Sequence, residues 1–156
     1  MADAASWDGK LLVDAMCGKL ARYLRMCGYD AAYTLDRGLE DDEAILAVAA
    51  EEGRRLVTRD EGLAARAEDA VLVRSRDVDG QLRELHEAGF ALSLTRPERC
   101  GRCNGPLEAV DADATTPDYA PDPGERSVWR CADCGQYFWR GSHWDDVADR
   151  LAGLEE

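Results

Sequence analysis

The stretch "LLVDAMCGKLARYLRMCGYD", residues 11–30, places an apolar strand directly before an aspartate and an amphipathic helix shortly after it. The run 11–15 is strand-like, and helix 18–26 has Leu20 and Leu24 on one face and a stop at Gly28. Asp14 is then either a cap for the first helical turn or part of a chemical site. The choice depends on whether other acids meet it.

The pattern around this stretch alternates between short apolar runs and amphipathic segments. The predicted strands are 11–15, 30–35, 55–60, 70–75 and 90–94. The predicted helices are 18–26, 41–52, 61–67 and 78–88. Strand and helix in repeated alternation predict an α/β fold with a parallel sheet and helices on both faces. We assign residues 1–9 to a tail and residues 10–96 to this domain.

Acidic residues follow the ends of the first four predicted strands. They are Asp14, Asp42, Asp60 and Asp77, with Asp41 and Glu43 as alternatives to Asp42. Each acid alone could be a helix cap, but ligand sites in open α/β sheets lie at this edge. Clustered carboxylates repel one another unless a cation offsets the charge, and hard oxygen ligands favour Mg²⁺ or Mn²⁺. The acids therefore predict a catalytic metal site for phosphodiester hydrolysis.

Basic residues accompany this edge. Lys19 and Arg22 lie early in the first helix, and Arg25 follows one turn later. These side chains form either a solvated helix face or a grip for phosphate beside Asp14.

Six cysteines divide into two groups. The knuckles "CGRC" (100–103) and "CADC" (131–134) predict a structural zinc held by Cys100, Cys103, Cys131 and Cys134. Cys17 and Cys27 lack ligand spacing and are interpreted as buried thiols. Residues 97–156 are predicted to form a small zinc ribbon with a C-terminal helix.

The stretch "GQYFWRGSHWDD" follows the second knuckle. Its aromatic rings either form the core of a small module or stack on unpaired bases. Arg140 and His143 are the predicted RNA contacts within it.

The net charge of −13 opposes long-range attraction to a polyanion, so any contact with RNA has to be local. No apolar run is long enough to cross a membrane, and the first ten residues lack the pattern of a signal peptide. We therefore expect a cytoplasmic protein without a membrane partner. A homo-oligomer or a protein partner is compatible with the sequence.

Residues 12–90 resemble PIN-like nucleases. The stretches "VDAMCGKLARYLRMCGYD", "DDEAILAVAAEEGRRLVTRD" and "WRGSHW" resemble the ribonuclease family named for the C-terminal domain of the exonuclease mut-seven, over about residues 11–150. The resemblance implies a metal-dependent ribonuclease whose zinc ribbon helps to hold RNA. It assigns the catalytic acids to Asp14, Asp42, Asp60 and Asp77. Thr58 and Ser75 are implied to support them through hydrogen bonds.

Two other functions remain as alternatives. A phosphoacceptor receiver also gathers aspartates at strand ends, but no lysine follows the fifth predicted strand. A module that binds RNA or a protein partner without catalysis would keep the acids and lack the cleavage activity.

Overall fold

The computed structural model describes residues 9–94 and 97–155. The predicted tail lies outside the described residues except for Gly9, and the predicted domain boundary falls on the undescribed pair 95–96. The first sheet is built from β1 Lys10–Val13, β2 Asp30–Tyr33, β3 Arg55–Thr58 and β4 Ala70–Leu72. Its helices are α1 Gly18–Met26, α2 Asp42–Glu52, α3 Glu61–Arg66 and α4 Val78–Glu87. The later elements are β5 Leu107–Ala109, β6 Val128–Cys131, β7 Tyr137–Trp139 and α5 Ser142–Ala152.

The four strands of the first sheet are parallel and stand in the order β2-β1-β3-β4. Successive residues of the central strand β1 face opposite sides, so Leu11 and Val13 enter one apolar cluster and Leu12 enters the other. The first cluster contains residues of α1, α4 and α5, and the second contains residues of α2 and α3. The predicted α/β fold with helices on both faces is confirmed.

The predicted fifth strand at 90–94 is wrong. These residues form no strand, and the Tyr29 hydroxyl donates to the Ala91 carbonyl at 3.1 Å, so the segment lies beside the residue that precedes β2. Phe90 is buried in the first cluster, with Leu92 and Leu94 packed against it. The alternating pattern therefore reflects side-chain burial against the helical layer rather than pairing of backbones.

The ribbon forms a second, antiparallel sheet in the order β5-β6-β7. Asn104 joins it to β2, because its Oδ1 accepts from Ala31 N at 3.0 Å and its Nδ2 donates to Asp30 Oδ1 at 2.6 Å. The buried Arg25 of α1 adds a second link by donating to the Gly101 carbonyl at 3.0 Å. Since Asp30 begins β2, the ribbon is held near the end of the sheet opposite to Asp14.

Helix α5 returns from the ribbon to the first sheet. Its Val147 and Leu151 are buried in the cluster formed with α1 and α4, and Leu154 joins them just beyond the helix. Arg150 also contacts α1 and α4, donating to the Tyr23 hydroxyl at 3.1 Å and pairing with Asp79 at 3.3 Å. The C-terminal helix is thus a structural layer of the first sheet as well as the end of the ribbon.

We expect Asn104→Gly to lower the free energy of unfolding by about 1–3 kcal/mol, because Asp30 and the Ala31 amide lose their partner. Asn104 has a φ of 73°, which glycine adopts freely, so the substitution removes the side chain without adding backbone strain. Urea denaturation measures the loss. A midpoint equal to that of the unchanged protein would show that the link contributes nothing.

Candidate active site and metal centre

Asp14 lies where β1 ends, between β1 and β3. Its amide donates to the Val57 carbonyl at 3.0 Å, and the residue is 8% exposed. Oδ1 accepts from Ala15 N and Oδ2 accepts from the Thr58 hydroxyl, both at 2.8 Å. In the sheet, β2 pairs with one edge of β1 and β3 pairs with the opposite edge. Asp14 therefore lies at the topological switch point, where open α/β sheets bind ligands.

Thr58 connects Asp14 with Asp60. Its fully buried hydroxyl donates to Asp14 and accepts from the Asp60 amide at 3.0 Å, which confirms the supporting role expected of it. Asp60 caps α3 through Oδ1, which accepts from Gly62 N at 2.9 Å and Leu63 N at 3.1 Å. Asp60 is exposed, so its carboxylate faces solvent beside the buried Asp14.

Asp77 lies five residues beyond β4 and caps α4, its Oδ2 accepting from Gly80 N at 3.1 Å. It lines a depression of about 380 Å³ together with Lys19 and Cys17, next to the loop that follows Asp14. Ser75 does not support it as expected. The Ser75 amide donates to the Glu84 carboxylate at 3.0 Å, and the Ser75 hydroxyl also bonds it. Glu84 accepts from the Arg74 amide as well, so its carboxylate binds the backbone that follows β4.

Asp42 is exposed in the first turn of α2. Its neighbour Asp41 is the N-cap and accepts from Glu43 N at 3.2 Å, while Glu43 pairs with Arg66 of α3. Hydrogen bonding to Glu43, with the nearby Asp42 and Asp41 charges, raises the pKa of Arg66. Within the described residues, no hydrogen bond or ion pair joins Asp42 to Asp14, Asp60 or Asp77.

The acids do not converge into a cluster of three. Within residues 9–94 and 97–155, the only group of three or more histidine, cysteine or acidic side chains placed to share one ion is the cysteine group described below. Thr58 joins the Asp14 carboxylate to the backbone amide of Asp60. These two acids on neighbouring connections could hold a hydrated Mg²⁺ or Mn²⁺, because Mg²⁺ keeps several waters and binds through one or two carboxylates.

Three further side chains, Arg59, Tyr33 and Cys17, lie at this edge, and only Cys17 has a predicted role, as a buried thiol. Arg59 stands between Thr58 and Asp60, and its buried Nε has no hydrogen-bond partner. The Tyr33 hydroxyl donates to the Ala15 carbonyl at 2.9 Å and packs over Gly18, where a Cβ would approach it to 2.8 Å. Burial, followed by the Asp14 charge, raises the pKa of Cys17 to about 11, so this thiol stays neutral near pH 7. Of these three, only Arg59 could have been singled out from the sequence as part of the site, because it lies inside the motif "TRD".

The four predicted zinc ligands do converge. All four Sγ atoms lie within 4.8 Å of one another, with Cys100 3.7 Å from Cys134 and Cys103 3.5 Å from Cys131. Backbone amides point at the sulfurs, among them Cys103 N to Cys100 Sγ and Cys134 N to Cys131 Sγ, each at 3.4 Å. Four thiolates in this arrangement could hold a tetrahedral zinc ion and leave no open position for a substrate.

The predicted basic contacts occupy three places. Lys19 lines the depression beside Asp77, whereas Arg22 and His143 line a cleft between α1 and the ribbon. Arg140 lies over the Trp129 ring, 5.3 Å from its centroid, in a separate hollow. The structure therefore brings Arg22 and His143 together and leaves Arg140 apart from them.

A family model described as the Mut7-C RNAse domain matches residues 9–151. No curated protein and no solved structure matches the chain. None of the helices that the structure describes is both long enough and apolar enough to span a membrane.

We expect Thr58→Val to lower the free energy of unfolding by about 1–3 kcal/mol, because Asp14 Oδ2 and the Asp60 amide both lose a partner in a buried place. Thr34→Val is the matched control, since Thr34 is equally buried but its hydroxyl has no hydrogen-bond partner. Chemical denaturation compares the two. Equal stabilities for both variants would contradict the bridging role of Thr58.

We expect elemental analysis to find one zinc per chain, and Cys100→Ser to lose it because a tetrahedral site needs all four thiolates. Cys27→Ala is the control, because Cys27 is a buried thiol outside the ribbon and should leave the zinc content unchanged. Removal of zinc by a chelator should unfold the ribbon and weaken the packing of α5. Zinc-free protein with an unchanged melting transition would contradict the structural role.

Proposed function

Because the chain belongs to the Mut7-C RNAse domain family, we propose that it is a ribonuclease that hydrolyses RNA phosphodiester bonds at the Asp14 edge with Mg²⁺ or Mn²⁺. The observation that carries the proposal is the link from Asp14 through Thr58 to Asp60 at the topological switch point. One carboxylate is held rigidly inside the protein, and the second faces the solvent from which a phosphate would approach.

In this proposal Asp14 and Asp60 hold the divalent ion. The ion would supply an activated water and offset negative charge on the leaving oxygen. Asp77 would act from the depression that it lines with Lys19, and Asp42 would support the edge from α2 as an outer acid. Lys19, which forms no hydrogen bond or ion pair among the described residues, is placed to contact the phosphate beside Asp77.

Zinc has a separate role in the proposal. The cysteine group holds it as a structural ion, which fixes the hairpin loops that carry Gly101 and Asn104. The ribbon then positions its RNA contacts, Arg140 and His143, relative to the first sheet. We further propose that the enzyme is PIN-like, because acids follow the strands of a parallel sheet. We also propose a cytoplasmic location, because six free cysteines suit a reducing compartment. Assembly with a second copy or a protein partner is compatible with this.

A second candidate function is RNA binding without catalysis. It is favoured by one observation, namely that the four acids do not converge within the described residues. The two candidates differ in one respect: a nuclease needs Asp14 and Asp60 to bind a metal ion, whereas an RNA-binding module does not.

We expect Asp14→Asn and Asp60→Asn to abolish cleavage of a labelled RNA, because each removes a charge from the ion site. The asparagine oxygen still accepts the capping hydrogen bonds from Ala15 N or from Gly62 N and Leu63 N. Asp14→Asn also loses the bond that Oδ2 accepts from the Thr58 hydroxyl, so its fold is checked by a melting transition. Asp113→Asn is the control, because Asp113 is an exposed acid in the ribbon loop. Cleavage is measured with Mg²⁺, with Mn²⁺ and with EDTA.

Activity of Asp14→Asn close to that of the unchanged protein, or activity that survives thorough removal of metal, would reject the carboxylate mechanism. Tight RNA binding without cleavage under every metal condition would favour the second candidate function.

A further inference from the structure

A cleft of about 360 Å³ separates α1 from the ribbon. Its lining contains four arginines, one histidine and three aromatic side chains, and no carboxylate. The volume falls in the range of roughly 300–1,000 Å³ that small-ligand sites occupy. The chain has a net charge of −13, so most of its surface repels anions. This cleft is a local exception, because no acid lines it.

Two nitrogen-bearing side chains of the cleft are free to bind a ligand. Arg22 and His143 are exposed, and neither forms a hydrogen bond or ion pair within the described part of the chain. The other three arginines have partners. Arg25 donates to the Gly101 carbonyl, Arg99 pairs with Asp30, and Arg102 donates to Gln136 Oε1 at 3.2 Å. Arg22 and His143 are therefore the groups that can contact an anionic ligand.

The aromatic side chains add a stacking surface. Phe138 of β7 and Trp144 in the first turn of α5 are half-buried, so part of each ring is accessible to the cleft. Trp139 is committed elsewhere, because its ring packs against Tyr119 with centroids 6.2 Å apart. Every nucleobase has a face that can stack on such rings, which makes this a surface for unpaired bases.

A stripe of α1 that is exposed at Lys19 and Arg22 and half-buried at Met26 links the cleft with the acidic edge. Lys19, Arg22 and Met26 lie at positions i, i+3 and i+7, on one face of the helix. Lys19 lines the depression beside Asp77, and Arg22 and Met26 line the cleft. The stripe extends about 10 Å along the helix axis. A single nucleic acid strand along it would meet positive charge between the cleft and the acids.

We propose that the cleft binds one unpaired nucleotide of a single-stranded RNA, with its base against Trp144 and Phe138 and its phosphate at Arg22 and His143. The strand continues past Lys19 to Asp14 and Asp60. This inference rests on the proposed ribonuclease function and adds the substrate class, RNA that is unpaired on one side of the cut. A continuous duplex hides its base faces and cannot fill the cleft.

The test measures RNA binding in the Asp14→Asn background with Mg²⁺ at fixed ionic strength, so that cleavage does not interfere. The probes are a short labelled single strand and the same strand in a duplex. We expect Trp144→Leu to weaken binding of the single strand roughly tenfold through lost stacking. Trp144→Phe should restore most of the affinity, because it keeps an aromatic face. The duplex should bind more weakly than the single strand.

Arg22→Ala should also weaken binding, whereas Arg83→Ala should not. Arg83 is an equally exposed helical arginine of α4, without a hydrogen bond or ion pair in the described ranges. Binding by Trp144→Leu and Arg22→Ala equal to that of Arg83→Ala, or equal binding of duplex and single strand, would overturn the cleft proposal even if the unchanged protein cleaves RNA. Persistence of these differences in a chain that cleaves no RNA would reject the proposed function and retain the cleft as an RNA site.

Discussion

The burial of β1 on both faces is the constraint from which the rest of the structure follows. Leu11, Leu12 and Val13 are fully buried and alternate between the two apolar clusters, so the strand has to stand between two helical layers. Each buried side chain of this kind contributes about 1.5–3 kcal/mol. The position of Asp14 is a consequence, because the residue after a strand fixed in this way has little freedom to move.

The hydrogen bonds that Asp14 accepts fix the orientation of its carboxylate. Thr58 reaches Asp14 from the neighbouring strand, and its oxygen also receives the amide of Asp60. One hydroxyl thus ties the Asp14 side chain to the backbone of the connection that carries Asp60. The opposite end of the sheet carries a second polar network, in which Asp30, Asn104 and Arg54 secure the ribbon. The Asp14 network and the attachment of the ribbon therefore lie at opposite ends of the sheet.

The repeated alternation of strand-like and helical patterns predicted the parallel sheet and its helices on both faces. The two knuckles predicted the cysteine cluster with its full ligand set. The strand at 90–94 could not be predicted correctly, because alternating burial looks the same whether a segment pairs with a strand or packs on a helix. The contact of Ser75 with Glu84 and the separation of Arg140 from His143 depend on side-chain directions, which spacing along the sequence does not report. Arg25 was interpreted as part of a basic helix face, yet it is buried beneath the ribbon.

The return of α5 to the first sheet has a consequence for biosynthesis. The apolar cluster around α1 and α4 includes Val147, Leu151 and Leu154, which leave the ribosome after every other part of that cluster. While the ribbon is being made, the surface that α5 will cover stays open to water. Packing of this cluster is therefore completed only after α5 has left the ribosome, and until then the nascent chain exposes an apolar face that a chaperone could bind.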